Sequence, residues 1–129
     1  MTTANAMAPL LALRDRLATV TGVVTCQIGI EANMTAEDYP MVRIVPSRAS
    51  HAAVLGRRQV EVLVYFGSPI HEFSGGQEAL YTAIFALERL LINSAETGTG
   101  YYFDYRETIA DEDRVDGYKL MAIRAMVEA

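Results

Sequence analysis

One cysteine, two histidines and no tryptophan stand in the 129 residues of this chain, and each scarcity narrows what it does. Cys26 has no second thiol to pair with, so an intramolecular disulfide is excluded; its place in an apolar stretch marks it as a small buried hydrophobe rather than a nucleophile. His51 and His71 fall in expected loops with no nucleophile signature around them. Basic residues are also short: 11 against 16 acidic ones, giving a net charge of −5. That balance argues against a surface that grips nucleic-acid phosphates, which requires a basic patch, though not against working close to DNA. No apolar run approaches membrane-spanning length, and the first residues lack the basic-then-apolar pattern of a secretory signal. The expectation is a soluble protein made in a cytoplasm, with no membrane partner.

What the chain has in abundance is apolar surface, at 51% of residues. A chain this size buries about two-thirds of the surface that its unfolded form exposes, enough for one core in a single domain over 1–129. Apolar side chains beyond the needs of that core find a partner surface, so self-association is the default expectation.

The stretch "ETIADEDRVDGYK" crowds Asp111, Glu112, Asp113 and Asp116 together just ahead of an apolar run. A calcium loop needs oxygen ligands at its first, third and fifth positions, Gly at the sixth and a bidentate Glu at the twelfth. Counted from Asp111, those last three positions hold Val115, Asp116 and Ala122, so the metal reading fails. A solvated charged connection remains.

Periodicity supplies the rest. "APLLALRDRLATVTG" sets Leu10, Leu13, Leu17 and Val20 on one helical face, with Pro9 suited to the first turn and Gly22 to the helix end. "VVTCQIGI" and "PMVRIVPS" read as strands, the second bracketed by Pro40 and Pro46. In "QVEVLVYFG", Val60, Val62, Val64 and Phe66 alternate with Gln59, Glu61, Leu63 and Tyr65. The intervening "SRASHAAVLGRR" reads as a long hairpin loop or an arm carrying Arg48, Arg57 and Arg58.

"SGGQEALYTAIFALERLLINS" predicts a helix with Leu80, Ala83, Ile84, Leu87, Leu90 and Leu91 as its core stripe. Tyr81, Phe85 and Ile92, with Glu88 among them, form a second partly apolar stripe, and a helix apolar on two sides is sandwiched or packs on another subunit. Its glycines lack the Walker lysine and the spacing of a dinucleotide fingerprint, so no cofactor is expected. Two further alternating runs follow. "YYFDYRETI" sets Tyr101, Phe103, Tyr105 and Ile109 against Tyr102, Asp104, Arg106 and Thr108, and "YKLMAIRAMVE" alternates about Met121, Ile123, Ala125 and Val127. Paired carboxylates such as Asp104 and Glu107 could serve acid–base chemistry, but strand alternation points them to opposite faces and no other group converges on them. The order helix, three strands, helix, two strands predicts an α+β domain with a sheet of four to five strands packed on two main helices.

That order, with "RLATVTGVVTC" leading into "YPMVRIVPSR", then "RRQVEVLVYFG", "GGQEALYTAIFALERLL" and a terminal strand, resembles the tail-terminator or tail-completion proteins of long-tailed bacteriophages and prophages. The resemblance is one of layout over nearly the whole chain, with a "P-x-V-R-I-x-P" strand. It implies a structural protein and not an enzyme: a homo-hexameric ring that caps the tail tube, ends its polymerisation and offers the surface where the head–tail connector docks. It implies no catalytic centre, cofactor or metal. DNA would pass nearby without specific binding, and the protein would move from the host cytoplasm into the virion tail. In such a ring, Tyr81, Phe85, Glu88 and Ile92 are the expected subunit interface, and Arg48, Arg57 and Arg58 a partner-docking loop. Asp111, Glu112, Asp113 and Asp116 would face the lumen or rim, where negative charge repels phosphates. Two other readings fit the same layout, a head-closure or connector protein and a small non-catalytic ligand-binding domain.

Overall fold

A computed structural model describes residues 5–29, 36–52, 57–69, 77–111 and 118–128. Helix α1 (Met7–Leu17) begins where the Asn5 side chain accepts the Met7 N–H at 2.9 Å, satisfying one of the donors that a helix start leaves open. Arg14 and Arg16 stand in its last turn, where positive charge complements the helix dipole. The helix stops at Leu17, earlier than Gly22, and the chain turns through Gly22 at φ 96°, a conformation that glycine adopts without steric cost.

Five strands follow the order β1-β2-β3-β5-β4 across one sheet. They are β1 (Thr25–Ile28), β2 (Met41–His51), β3 (Arg58–Pro69), β4 (Tyr102–Asp111) and β5 (Tyr118–Glu128), with helix α2 (Gln77–Gly98) between β3 and β4. β1 lies parallel to β2, and every other neighbouring pair is antiparallel. The fold is α+β, as the order of periodic segments predicts.

Both helices pack on one face of the sheet. From α1 come Leu10, Leu13 and Leu17, and from α2 Leu80, Ile84, Leu87, Leu91 and Ala95. They meet Val42 and Ile44 of β2, Val60, Val62, Val64 and Phe66 of β3, Phe103 of β4, and Met121, Ile123, Ala125 and Val127 of β5. Each fully buried large apolar side chain contributes roughly 1.5–3 kcal/mol, so this layer dominates stability. The expected stripe of α2 is corrected at two positions: Leu90 is 47% exposed and Ala83 is exposed, while Ala95 continues the buried line.

No helix among the described residues covers the opposite sheet face. At one end of it Tyr39, Met41 and Leu120 form a second small cluster with Tyr65 against it. Arg43 is buried there, its Nη1 donating to Thr25 Oγ1 at 3.0 Å and to the Val42 carbonyl at 2.8 Å. Among the described residues no helix is long and apolar enough to cross a membrane.

Two register shifts alter what simple alternation predicts. One lies between Pro46 and Arg48 in β2 and the other between Tyr105 and Glu107 in β4. A bulge reverses the side-chain parity of the residues beyond it. Ile109 therefore pairs with Ala122 on the open face, not on the side of Phe103, and Glu107 pairs with Arg124 there. Asp104, which pairs with Met126, shares that face. The expectation that Asp104 and Glu107 point to opposite faces is thus corrected.

Candidate assembly surface

The outer face of α2 carries the second stripe. Tyr81 and Phe85, four positions apart, stack with ring centroids 6.5 Å apart, which is the approach that i,i+4 spacing on a helix provides. Phe85 remains 49% exposed. Glu88 is half-buried, and Ile92 is half-buried against the core, so the stripe is most open at Phe85 and closes toward Ile92. A shallow groove on this face is lined by Phe85, Glu88 and Ile92 of the stripe together with Thr82, Ala86 and Arg89. Met7 and Leu11 of α1 are 43% and 40% exposed, so both helices present apolar side chains outward.

The open sheet face carries a different feature, which strand-by-strand reading does not reveal. Glu61 of β3 lies 3.7 Å from Arg48 of β2 and 3.5 Å from Arg124 of β5, and Arg124 lies 3.1 Å from Glu107 of β4. Ser47 Oγ donates to Glu61 Oε1 at 2.9 Å and fixes the carboxylate from the bulge. The result is a ladder of alternating charge, Arg48–Glu61–Arg124–Glu107, running from one sheet edge to the other. Glu61 and Arg124 do occupy non-core positions of alternating runs. The sequence, however, cannot say that they meet without the β3–β5 register, which joins segments separated by all of α2 and β4.

The arginines expected in one loop are distributed differently. Arg48 belongs to β2 and Arg58 to β3, and Arg57 immediately precedes β3. The strand reaches His51 because β3, itself held by β5 along its length, offers Ala49, Ser50 and His51 a ladder. The polar, small-residue stretch "SRASH" carries no β signal of its own. Arg57 pairs with Glu128 at 3.4 Å, so Arg48 and Arg57 each have an intramolecular carboxylate. Asp111 ends β4, its side chain outside the described residues, as are Glu112, Asp113, Asp116 and His71. His51 is exposed at the end of β2.

Chemistry-bearing groups are sparsely placed. Among the described residues no three of His, Cys, Asp and Glu gather closely enough to hold a metal ion. Asp104 and Glu107 share a face, yet each carboxylate is paired with a guanidinium, Asp104 with Arg106 at 2.8 Å and Glu107 with Arg124. Cys26 is half-buried, and its Sγ donates to the Arg14 carbonyl at 3.5 Å. Burial pushes the thiol up to about 11, with Arg43 and Arg14 pulling the other way. A thiol that is protonated at neutral pH is a poor nucleophile.

Two measurements check this. The folded protein is expected to be alkylated by iodoacetamide about tenfold or more slowly than the denatured chain near neutral pH. Because the folded thiol titrates above the unfolded one, its contribution to stability is complete below about pH 9 and is lost as pH rises toward 11. Cys26→Ala should therefore lose less stability than the natural chain on passing through that window in denaturant titrations. Equal alkylation of folded and unfolded protein would contradict the burial.

Comparison with known protein families and with curated proteins finds no match to this chain.

Proposed function

We propose that this protein is a structural subunit of a phage or prophage tail, a tail terminator that assembles into a ring on the end of the tail tube. The observation that carries the reading is the half-exposed Phe85, stacked with Tyr81 on the side of α2 away from the core. A large aromatic surface left open on a long helix is one that a second subunit covers. Three further features support it: the phage-like order of elements, exposed apolar side chains on α1, and a sheet face with no described helix upon it.

In a ring with that sheet face turned inward, the ladder would present charges already paired within the chain. An inward surface with few unpaired arginines holds DNA phosphates weakly, and the acidic stretch from Asp111 to Asp116 at a rim adds repulsion. Arg48, Arg57 and Arg58 lie at the hairpin end of the sheet, and in this reading contact the tail tube or a neighbouring subunit there. Contacts of exposed charges are worth about 0–1 kcal/mol each, so they set orientation and salt sensitivity more than affinity.

Particles assembled without this protein are expected to carry tails of uncontrolled length, or tails unjoined to heads, when viewed by electron microscopy. Purified protein added to growing tubes is expected to stop growth at the added end. Binding to head connectors with no effect on tube growth would replace this reading by the head-closure one, and binding of neither would remove both.

A further inference from the structure

The two edges of the sheet are unlike, and they complement one another. At one edge, β1 pairs only with Met41–Ile44 of β2, leaving Val45–His51 without a described strand beside it. From Pro46 onward this half of β2 is also exposed along its length, and among the described residues it is held by β3 alone. At the other edge, β4 is paired on one side only among the described residues, and Tyr102, Tyr105 and Ile109 are 64%, 36% and 44% exposed. Open edges with apolar side chains are templates for another strand.

Charge agrees with direction, and the ladder drifts along the strands as it crosses the sheet. The ladder ends in Arg48, its side chain 72% exposed, at the β2 edge and in Glu107, 49% exposed, at the β4 edge. Through β3 and β5, Val45 is level with Glu107, and Arg48 is level with Asp104. The free half of β2 thus lies at the same height as the first half of β4. Because β2 and β5 run one way and β3 and β4 the other, copies related by rotation bring β4 of one antiparallel to β2 of the next.

We propose that β4 of one copy lies along Val45–His51 of β2 in the next, staggered along the strand from the level pairing, as closing a sheet requires, so that Arg48 faces Glu107 rather than Asp104 and the charge ladder runs on across each junction. The occupant, a second copy of this chain, rests on the ring reading above. Such a contact is head-to-tail, and it closes only if the sheet curves. The bulges at Pro46/Arg48 and Tyr105/Glu107 supply local bend and twist beside the junction. Pro46 offers no N–H, which shortens any main-chain ladder and leaves register to the charges.

The test uses two variants and their mixture, followed by sedimentation velocity. Arg48→Glu places like charges at every junction of its own assembly, and so does Glu107→Arg. Each is expected to self-associate about tenfold or more weakly than the natural chain while keeping its circular dichroism. Mixed in equal amounts, the two should assemble again to within a few fold of the natural chain. In an alternating ring every junction is complementary. At one junction the carboxylate introduced by the first variant meets the guanidinium introduced by the second, and at the next the original Arg48 meets the original Glu107. Such a ring closes only with an even number of subunits. Arg48→Gln and Glu107→Gln, which add no repulsion inside the chain, should weaken assembly less and flatten its salt dependence. Assembly of both reversal variants at natural strength, or loss without rescue on mixing, would overturn the junction. If Phe85→Glu still dissociated the protein in that case, the ring reading would stand and only the edge contact would fall. A natural chain that is monomeric at all concentrations would overturn both.

Discussion

Phe85→Glu is expected to convert the assembled protein into a folded monomer, with self-association weakened by at least two orders of magnitude. The removed ring contributes roughly 1.5–3 kcal/mol if fully covered by a neighbour. A carboxylate in its place must be desolvated against an apolar surface, which adds to the loss. Each tenfold change in affinity corresponds to about 1.4 kcal/mol, and in a ring every subunit has two neighbours. Because Phe85 is 49% exposed in the single chain, the fold itself should change little, and thermal unfolding of the diluted protein should move by only a degree or two. The adjacent residue supplies the contrast. Ile84 is 1% exposed in the core, and Ile84→Ala is expected to lose about 2–5 kcal/mol of stability in the monomer itself. Gel filtration with light scattering separates the two effects. An unfolded Phe85→Glu, or one that assembles at natural strength, would remove α2 from the interface.

This contrast also shows why much of the fold is legible in the sequence. Burial alternates every second residue in "QVEVLVYFG" and every third or fourth in α2, and these periods follow from geometry that the chain carries locally. Leu10, Leu13 and Leu17 on α1, the four inward residues of β3 and the four of β5 are all placed by period alone. Local pattern fails where the deciding contact is distant. "SRASH" is strand because β3 is fixed from its other side by β5, and the parity of Ile109 depends on a bulge that no single residue announces. The candidate surfaces divide in the same way. The Phe85 stripe is visible in helical spacing, whereas the charge ladder depends on two long-range registers. Leu90 satisfies the period of the core stripe, yet lies at its margin and is left exposed.

Phe66→Ala is the substitution expected to cost the most stability, and it reports on assembly from the opposite direction. Phe66 is fully buried at the centre of the sheet, between Val42 on β2 and Met121 on β5. Truncation of a buried Phe loses about 3–5 kcal/mol, a large share of the roughly 5–15 kcal/mol that holds a domain of this kind. The diluted variant should therefore unfold at a much lower guanidinium chloride concentration, with a partly unfolded population already present in buffer. A ring binds only folded subunits, so raising the protein concentration should recover part of the loss by mass action and move the unfolding midpoint upward. The natural chain should show a concentration-dependent midpoint of similar size from a higher starting value, since the mass-action term depends on assembly and not on the stability of the monomer. Phe85→Glu, folded but unable to associate, should show a midpoint independent of concentration. The double variant Phe66→Ala/Phe85→Glu should then combine the low midpoint with no recovery at any concentration. Recovery in the double variant equal to that of Phe66→Ala alone would mean that the coupling surface lies elsewhere than on α2.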